Sequence, residues 1–538
     1  MFKFLLLFGY GIIQAVNATA QQQPSQLYNM VTATPAAEKV AASTQLFKRS
    51  TTIQQDELAS TLLTQQLLDL DKNQSAGIYQ SQPGRLSITV PYAHNRTYIL
   101  QLVQQDISFD GLTLYTLTGT GSSKKAGKVK AVHYRGYIEG FPASIAAVSV
   151  FANGEVMAIF SSEEGNFNLG KINNKEEYIV YNSMDMRSTL GYECGAAMLP
   201  VISTSKEKRP AAPSQPQGGT LNLLCKKVRF HWEVDYKLYN NNFSGNLNNT
   251  ANYIAGLFNQ LAAMYANEGI LVELNSTFIW TTPDPYNTST ADSALATLKR
   301  RYNALGDNFN GDLCMLIDGA PTNNGGLAYI LDFDQCNRAF AYGYANVYAT
   351  YNTVPTYSWD VEVMTHESGH LMGSFHTQWC GWNTGAGNTC GAIDNCFAVE
   401  AGPGCSTCIS TVNTNPSAPP GFMGTVMSYC YLRDGIGVNL SYGFGAKPQA
   451  RIRSCVNAAA CFIPDSKWTG TVSTAWENAA NWSCGAIPTV NTDVTISGGA
   501  INYPVVNSPA TCRKLNQKTN TTVTVRTGFS LSVAGRGN

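Results

Sequence analysis

Three of the six histidines in the 538-residue chain fall in one short window, His366-Glu367-Ser368-Gly369-His370-Leu371-Met372-Gly373-Ser374-Phe375-His376. On a helix His366 and His370 stand one turn apart on the same face, close enough to share one metal ion. Glu367, rotated about 100° from His366, reaches a water on that metal without ligating the metal itself. Gly373 comes where the helix must stop, because glycine takes φ > 0 without penalty. The chain can then turn back and bring in His376 as a third nitrogen. Three neutral imidazoles leave the fourth position of a zinc ion to water, as a catalytic zinc requires. The spacing thus nominates His366, His370 and His376 as ligands of one Zn2+ ion and Glu367 as the general base of a hydrolase. The competing reading, histidines that are ordinary polar residues of a surface helix, leaves the glycine and the third histidine unexplained.

A second stretch, Thr425-Val426-Met427-Ser428-Tyr429-Cys430, completes a pattern. The extended histidine motif with a methionine turn behind it resembles the metzincin zinc metalloproteases. The resemblance implies that Met427 packs beneath the ligands and that the substrates are proteins or peptides. Upstream, His133-Tyr134-Arg135-Gly136-Tyr137-Ile138-Glu139-Gly140-Phe141-Pro142-Ala143-Ser144 is similar to a run in the propeptides of the reprolysin (adamalysin) branch. Gly326, Leu327 and Ala328 resemble that branch's edge strand, which holds an antiparallel substrate extended by main-chain bonds; a plain hairpin strand is the alternative. The resemblance also implies that the wall of the S1′ pocket lies in residues 427–442. Two positions depart from the reprolysin pattern. Thr377 stands where that branch carries Asp, and Met427-Ser428-Tyr429 is the astacin and serralysin form. Tyr429 therefore reads as an additional zinc ligand, as a donor to the transition state, or as packing.

Of the fourteen cysteines only Cys194 precedes residue 220. In Cys194-Gly195, a lone thiol upstream of a zinc site could fill the open coordination position as a thiolate and hold the enzyme latent. The reprolysin resemblance implies the same cysteine switch; the alternative is a disulfide to a cysteine downstream, where the count is odd. Cys380, Cys390, Cys396, Cys405, Cys408 and Cys430 crowd the metal motif and read as disulfides, with a second, structural zinc as the weaker alternative. Cys484 and Cys512 are expected to pair.

These residues need a scaffold. Residues 221–232 read as a strand, and 246–268 as an amphipathic helix with Tyr253, Leu257, Leu261 and Met264 on one stripe. A strand over 270–280, a helix over 294–302 and a buried apolar strand over 313–317 follow. This order predicts an α/β (α+β) metzincin catalytic domain with a mostly parallel five-stranded sheet. Ser358 is placed to cap the helix that carries the histidines. Residues 85–181 carry strand signals, with a turn at Asn153-Gly154, and read as a β-rich prodomain. Trp468, Trp476 and Trp482 open a small β-rich C-terminal module, read as incomplete at its end. Its tryptophans are either core or a platform for carbohydrate or a cell surface.

Lys3, the apolar run to Val16 and Ala18-Thr19-Ala20 read as a secretory signal, so a secreted or cell-surface protein is expected. Charged residues are 13% and the net charge is zero, which gives no case for nucleic acid. No later apolar run is long enough to span a bilayer. The organisation expected is a signal peptide (1–20), a propeptide (21–202), a linker with Lys206, Lys208 and Arg209 as a processing site (203–220), a catalytic domain (221–463) and the C-terminal module (464–538). The function expected is a secreted zinc metalloendopeptidase made as a latent precursor. The alternative from another class is a catalytically silent metzincin-fold adhesion protein, which a missing ligand or base would favour. A structural Ca2+ ion is left open.

Overall fold

The computed structural model describes residues 23–33, 44–50, 58–105, 113–117, 123–127, 129–188, 194–203, 223–319, 325–383, 389–402, 405, 409–410, 423–433, 435–518 and 520–535. The signal sequence and nearly all of the linker lie outside the described residues, as do Cys408 and residues 416–420.

The histidine motif hangs on five strands, β1 (Lys226–Val234), β2 (Leu271–Trp280), β3 (Leu313–Gly319), β4 (Gly326–Ala328) and β5 (Tyr342–Val347). β1 lies between β2 and β3, all parallel, β5 runs parallel to β3, and β4 closes this edge antiparallel to β5. β3 is buried along its whole length, consistent with its unbroken apolar run. Three helices matter for the site: α1 (Leu247–Asn267), α2 (Ala291–Asn303) and α3 (Tyr357–Leu371). Asn246 caps α1 by accepting the N–H groups of Asn248 and Asn249, and Thr290 with Ser293 forms a capping box on α2.

The five-stranded unit expected from the element order does not stand by itself. Beyond β2, the segment Thr113–Leu117 adds parallel and Ser123–Gly127 pairs with it antiparallel. At the start of β1, Ile463–Lys467 adds antiparallel and leads into Asp493–Ile496 and Lys514–Gln517. The result is one ten-stranded mixed sheet to which the regions before and after the histidine-bearing segment both contribute.

Residues 47–182 otherwise form a nine-stranded antiparallel sheet. One face carries its own core, including Phe47, Tyr98, Phe160 and Phe167. Ile145, Ala147, Met157 and Ile159 on the other face share a single core with α1 and α3. This explains why α1 is buried nearly all round and not along one stripe: Arg135 Nε donates to Asn259 Oδ1 at 3.0 Å, and Asn259 Nδ2 donates to Val148 O at 3.1 Å. In the Tyr134–Ser144 run, a Cβ at Gly136 would overlap the Gln101 carbonyl of the neighbouring strand. Gly140 turns the hairpin at φ +85°, and Ser144 Oγ accepts the Ile138 N–H at 2.7 Å. The run builds a tight chain reversal.

After residue 463 the chain coils. Asp493–Ile496, Val505–Val506 and Ala510–Cys512 pair parallel with Lys514–Gln517, Thr524–Val525 and Leu531–Val533, two stacked turns of a solenoid. Trp468, Trp476 and Trp482 are 4%, 0% and 3% exposed and meet edge to face. They are the module's core, the first of the two readings, and these three rings offer no exposed platform for carbohydrate. The expected Cys484–Cys512 bridge is also corrected: Cys484 bonds Cys225 beside β1, and the Cys512 thiol is buried and free. Sequence proximity favoured the wrong partner, because the shared sheet brings β1 beside the solenoid from about 240 residues away. Lys227 Nζ reinforces that seam against Glu273, Asp465 and Asp493 at 2.7, 2.9 and 3.1 Å.

Cys336–Cys461, Cys380–Cys405 and Cys396–Cys430 are disulfides, and Cys390 is also bonded. With these sulfurs committed, the cluster's described cysteines, Cys380, Cys390, Cys396, Cys405 and Cys430, offer no free thiolate to the structural zinc considered as the alternative.

Candidate active site

α3 begins without help from its own residues. Thr356 occupies the cap position but makes no side-chain cap bond. Ser358, the expected cap, lies inside the first turn, where its N–H donates to Asn168 Oδ1 at 2.7 Å while Asn168 Nδ2 donates to Ser358 Oγ at 2.9 Å. The cap is thus supplied from 190 residues upstream. Farther along, Asp360 accepts the N–H groups of Tyr348 and Ala349 at 2.9 and 3.1 Å and the Tyr253 hydroxyl at 3.0 Å, which ties α3 to the sheet and to α1.

The three histidines converge. His370 Nε2 lies 3.2 Å from His366 Nε2 and 3.0 Å from His376 Nε2. Each ring is held from behind: His366 Nδ1 by the Val426 carbonyl at 2.7 Å, His370 Nδ1 by the Ser374 carbonyl at 2.8 Å, and His376 Nδ1 by Glu400 Oε2 at 2.6 Å. An Nδ1 facing an acceptor carries the proton of a neutral ring, so the Nε2 atom presents a lone pair. Burial and the neighbouring His376 push His366 down to about 3 and His370 well below the usual histidine range. Three lone pairs at this spacing repel one another unless a cation lies between them. Tetrahedral zinc with Zn–N near 2.0–2.1 Å separates its nitrogens by roughly 3.4 Å, so the donor set fits that ion.

Glycines permit the surroundings. At Gly373 φ is +94°, and a Cβ there would also press on Cys455 Sγ and on the Leu331 carbonyl, so both conformation and space demand glycine. A Cβ at Gly369 would come within 2.9 Å of Met427 Sδ, which sets the Met427 side chain directly under the helix turn between His366 and His370. A Cβ at Gly326 would overlap the Glu367 carboxylate, so β4 passes immediately over that group, with Leu327 and Ala328 buried beside it.

Cys194 stands in the middle of this arrangement. Its Sγ lies 3.5 Å from Glu367 Oε2 and 3.7 Å from His370 Nε2, and it forms a buried four-residue cluster with the three histidines. Burial, and then the Glu367 carboxylate, push its thiol well above the usual range; a bound divalent cation reverses that preference. It is in no disulfide. The Tyr429 hydroxyl donates to the Cys194 carbonyl and lies 3.4 Å from His376 Nε2. Burial raises the phenol, so it stays a donor. From Cys194 the chain follows β4 in the same direction: Gly195 lies against Leu327, and Ile202–Ser203 pairs parallel with Leu331–Asp332.

Glu400 and Asn168 were not legible as site residues. Glu400 supplies the carboxylate behind His376, whereas Thr377, where the resemblance expects Asp, turns its N–H to the Met427 carbonyl at 3.0 Å.

Residues 225–431 match the model of metallo-peptidase family M12, and residues 467–536 match a domain of unknown function. No curated protein matches the chain. Among solved structures, a crystal structure of metalloproteinase-II from Bacteroides fragilis aligns over 56% of this chain and 84% of its own at 9% identity, with a TM-score of 0.29. On the family match, the segment that carries the three converging imidazoles is a metallopeptidase domain.

Proposed function

We propose that the chain is the latent precursor of a secreted zinc metalloendopeptidase of the reprolysin-like metzincin type. The carrying observation is the set of three Nε2 lone pairs beside a carboxylate that lies directly under an edge strand. His366, His370 and His376 would hold the ion, which supplies a Lewis acid for water and for a peptide carbonyl. Glu367 takes the proton of the attacking water and passes it to the leaving nitrogen. Tyr429 donates to the carbonyl oxygen as it gains charge; its present bond to a backbone carbonyl, that of Cys194, is the same chemical contact. Met427 supports the helix from below. β4 takes a substrate strand along its outer edge.

Chain direction supports the latent reading. A substrate added antiparallel to β4 runs from the C-terminal end of α3 toward its N-terminal end. Residues 194–203 run the other way, so the pro-segment offers Glu367 a reversed backbone and plugs the cleft without resembling a substrate. The test is metal content and casein hydrolysis on the precursor and on the chain cleaved within residues 204–222. One zinc per cleaved molecule, with hydrolysis abolished by 1,10-phenanthroline and restored by Zn2+, is expected. A zinc-loaded, cleaved protein that hydrolyses no protein or peptide would sink the reading.

A further inference from the structure

Glu362 sits one helical turn before His366, so its side chain shares the face of α3 that carries the ligands, about 6 Å nearer the helix N-terminus. It is 8% exposed, and its Oε1 has no hydrogen-bond partner among the described residues. A carboxylate buried without a donor is costly, so it needs an explanation. It lines a cavity of about 220 Å³ between α3 and the segment after Met427, with Trp359, Tyr431 and Val438 as its walls. Trp359 and Tyr431 meet edge to face at 5.8 Å, leaving aromatic surface beside the acid, a setting that suits a cation. Arg433 also lines the cavity but is exposed and makes no ion pair with Glu362 among the described residues. Met184, Met186 and Ser188 of the pro-region line the cavity too, and a Cβ at Gly437 would press on Met184 Sδ at 2.8 Å.

The cavity's side of the scissile bond follows from the strand. β4 begins over Glu367 in the middle of α3, and the chain reaches Gly373, beyond the helix's end, with the Leu331 carbonyl. An antiparallel substrate therefore continues past the scissile bond toward the N-terminal half of α3, where Glu362 lies. We infer that this cavity takes the side chain that follows the scissile bond and that Glu362 at its floor selects a basic one, so that the enzyme cuts on the N-terminal side of arginine or lysine. The inference rests on the peptidase reading above. In the precursor, residues 183–188 cover this pocket while Cys194 covers the ligands.

The test uses the processed, zinc-loaded enzyme and fluorogenic peptides that differ only in the residue after the scissile bond. Arginine or lysine there should raise kcat/KM over leucine by on the order of 10²-fold, as expected for a desolvated charge pair. Glu362→Leu should reverse that order, and Glu362→Gln should flatten it, with zinc content unchanged in both. Removing a buried unpaired acid should not unfold the helix, and the zinc content checks this. Preference for leucine or phenylalanine in the parent, or an unchanged preference in Glu362→Leu, overturns the assignment while the peptidase reading stands; the first outcome includes the case in which Arg433 swings in to neutralise the acid. Absence of cleavage of every peptide by zinc-loaded enzyme overturns both.

Discussion

The residues around the ligand cluster divide by what their loss should do. On the proposed reading Glu367 is the base and not a ligand, so Glu367→Ala should keep zinc and lose activity by about 10²–10⁴-fold. Loss of zinc in that variant, by elemental analysis, would assign Glu367 a ligand role instead. Glu400 acts one step behind, on His376 Nδ1 at 2.6 Å. Glu400→Ala should weaken zinc by about 10–100-fold, and unchanged zinc affinity in a competition with a chromophoric chelator would remove it from the site. Cys194 acts in the opposite sense, so the Cys194→Ala precursor should hydrolyse casein without cleavage of the chain; a silent precursor would mean that the pro-region inhibits by coverage alone. The convergence of His366, His370 and His376, the placement of Glu367 beside Cys194 and the turn at Gly373 were legible because helical spacing and a forced positive φ write themselves into sequence. Glu400 was not, because it reaches His376 from a cysteine-pinned loop whose path has no period to read.

At the scale of elements, the apolar runs of β2, β3 and α1 show in the sequence because burial imposes a pattern on them. Their neighbours do not show. Nothing in the order of segments says that Thr113–Leu117 joins the far edge of the sheet beside β2, since strand addition uses main-chain groups that every residue has. The same holds for the cap of α3. Ser358 reads as a cap by residue type, yet Asn168 performs that role from the pro-region sheet. A cap contributes about 1 kcal/mol, ranging to about 2, so Asn168→Ala should destabilise the precursor by that much in urea unfolding. It should also raise residual precursor activity, because the contact clamps the pro-region to the ligand helix. An Asn168→Ala precursor as stable as the parent would show that α3 is capped otherwise.

At the scale of the whole molecule the sheet of residues 47–182 supplies part of a shared core, since Ile145, Ala147, Met157 and Ile159 pack with α1 and α3. Burial of acids gives the folded chain a pH response. Burial alone pushes the Glu362 carboxyl up to about 8, and burial outweighs hydrogen bonding to lift Glu268 and Asp360 to about 7. In the unfolded chain such groups lose their protons near pH 4. The folded precursor therefore holds more protons than the unfolded chain between about pH 4 and 8, and its stability falls as pH rises through that window. Buried His133 and His231, lowered to about 3 by burial, work in the opposite sense but only below about pH 6.5. From pH 6.5 to 8.5 the acids act unopposed by these two, so the Tm of the zinc-loaded precursor should fall steadily across that interval. Glu362→Leu should flatten the upper part of the slope, because its proton is the last to leave. A Tm that is level or rising from pH 6.5 to 8.5 would contradict the burial of these acids, and an identical slope in parent and Glu362→Leu would assign it to Glu268 and Asp360 alone.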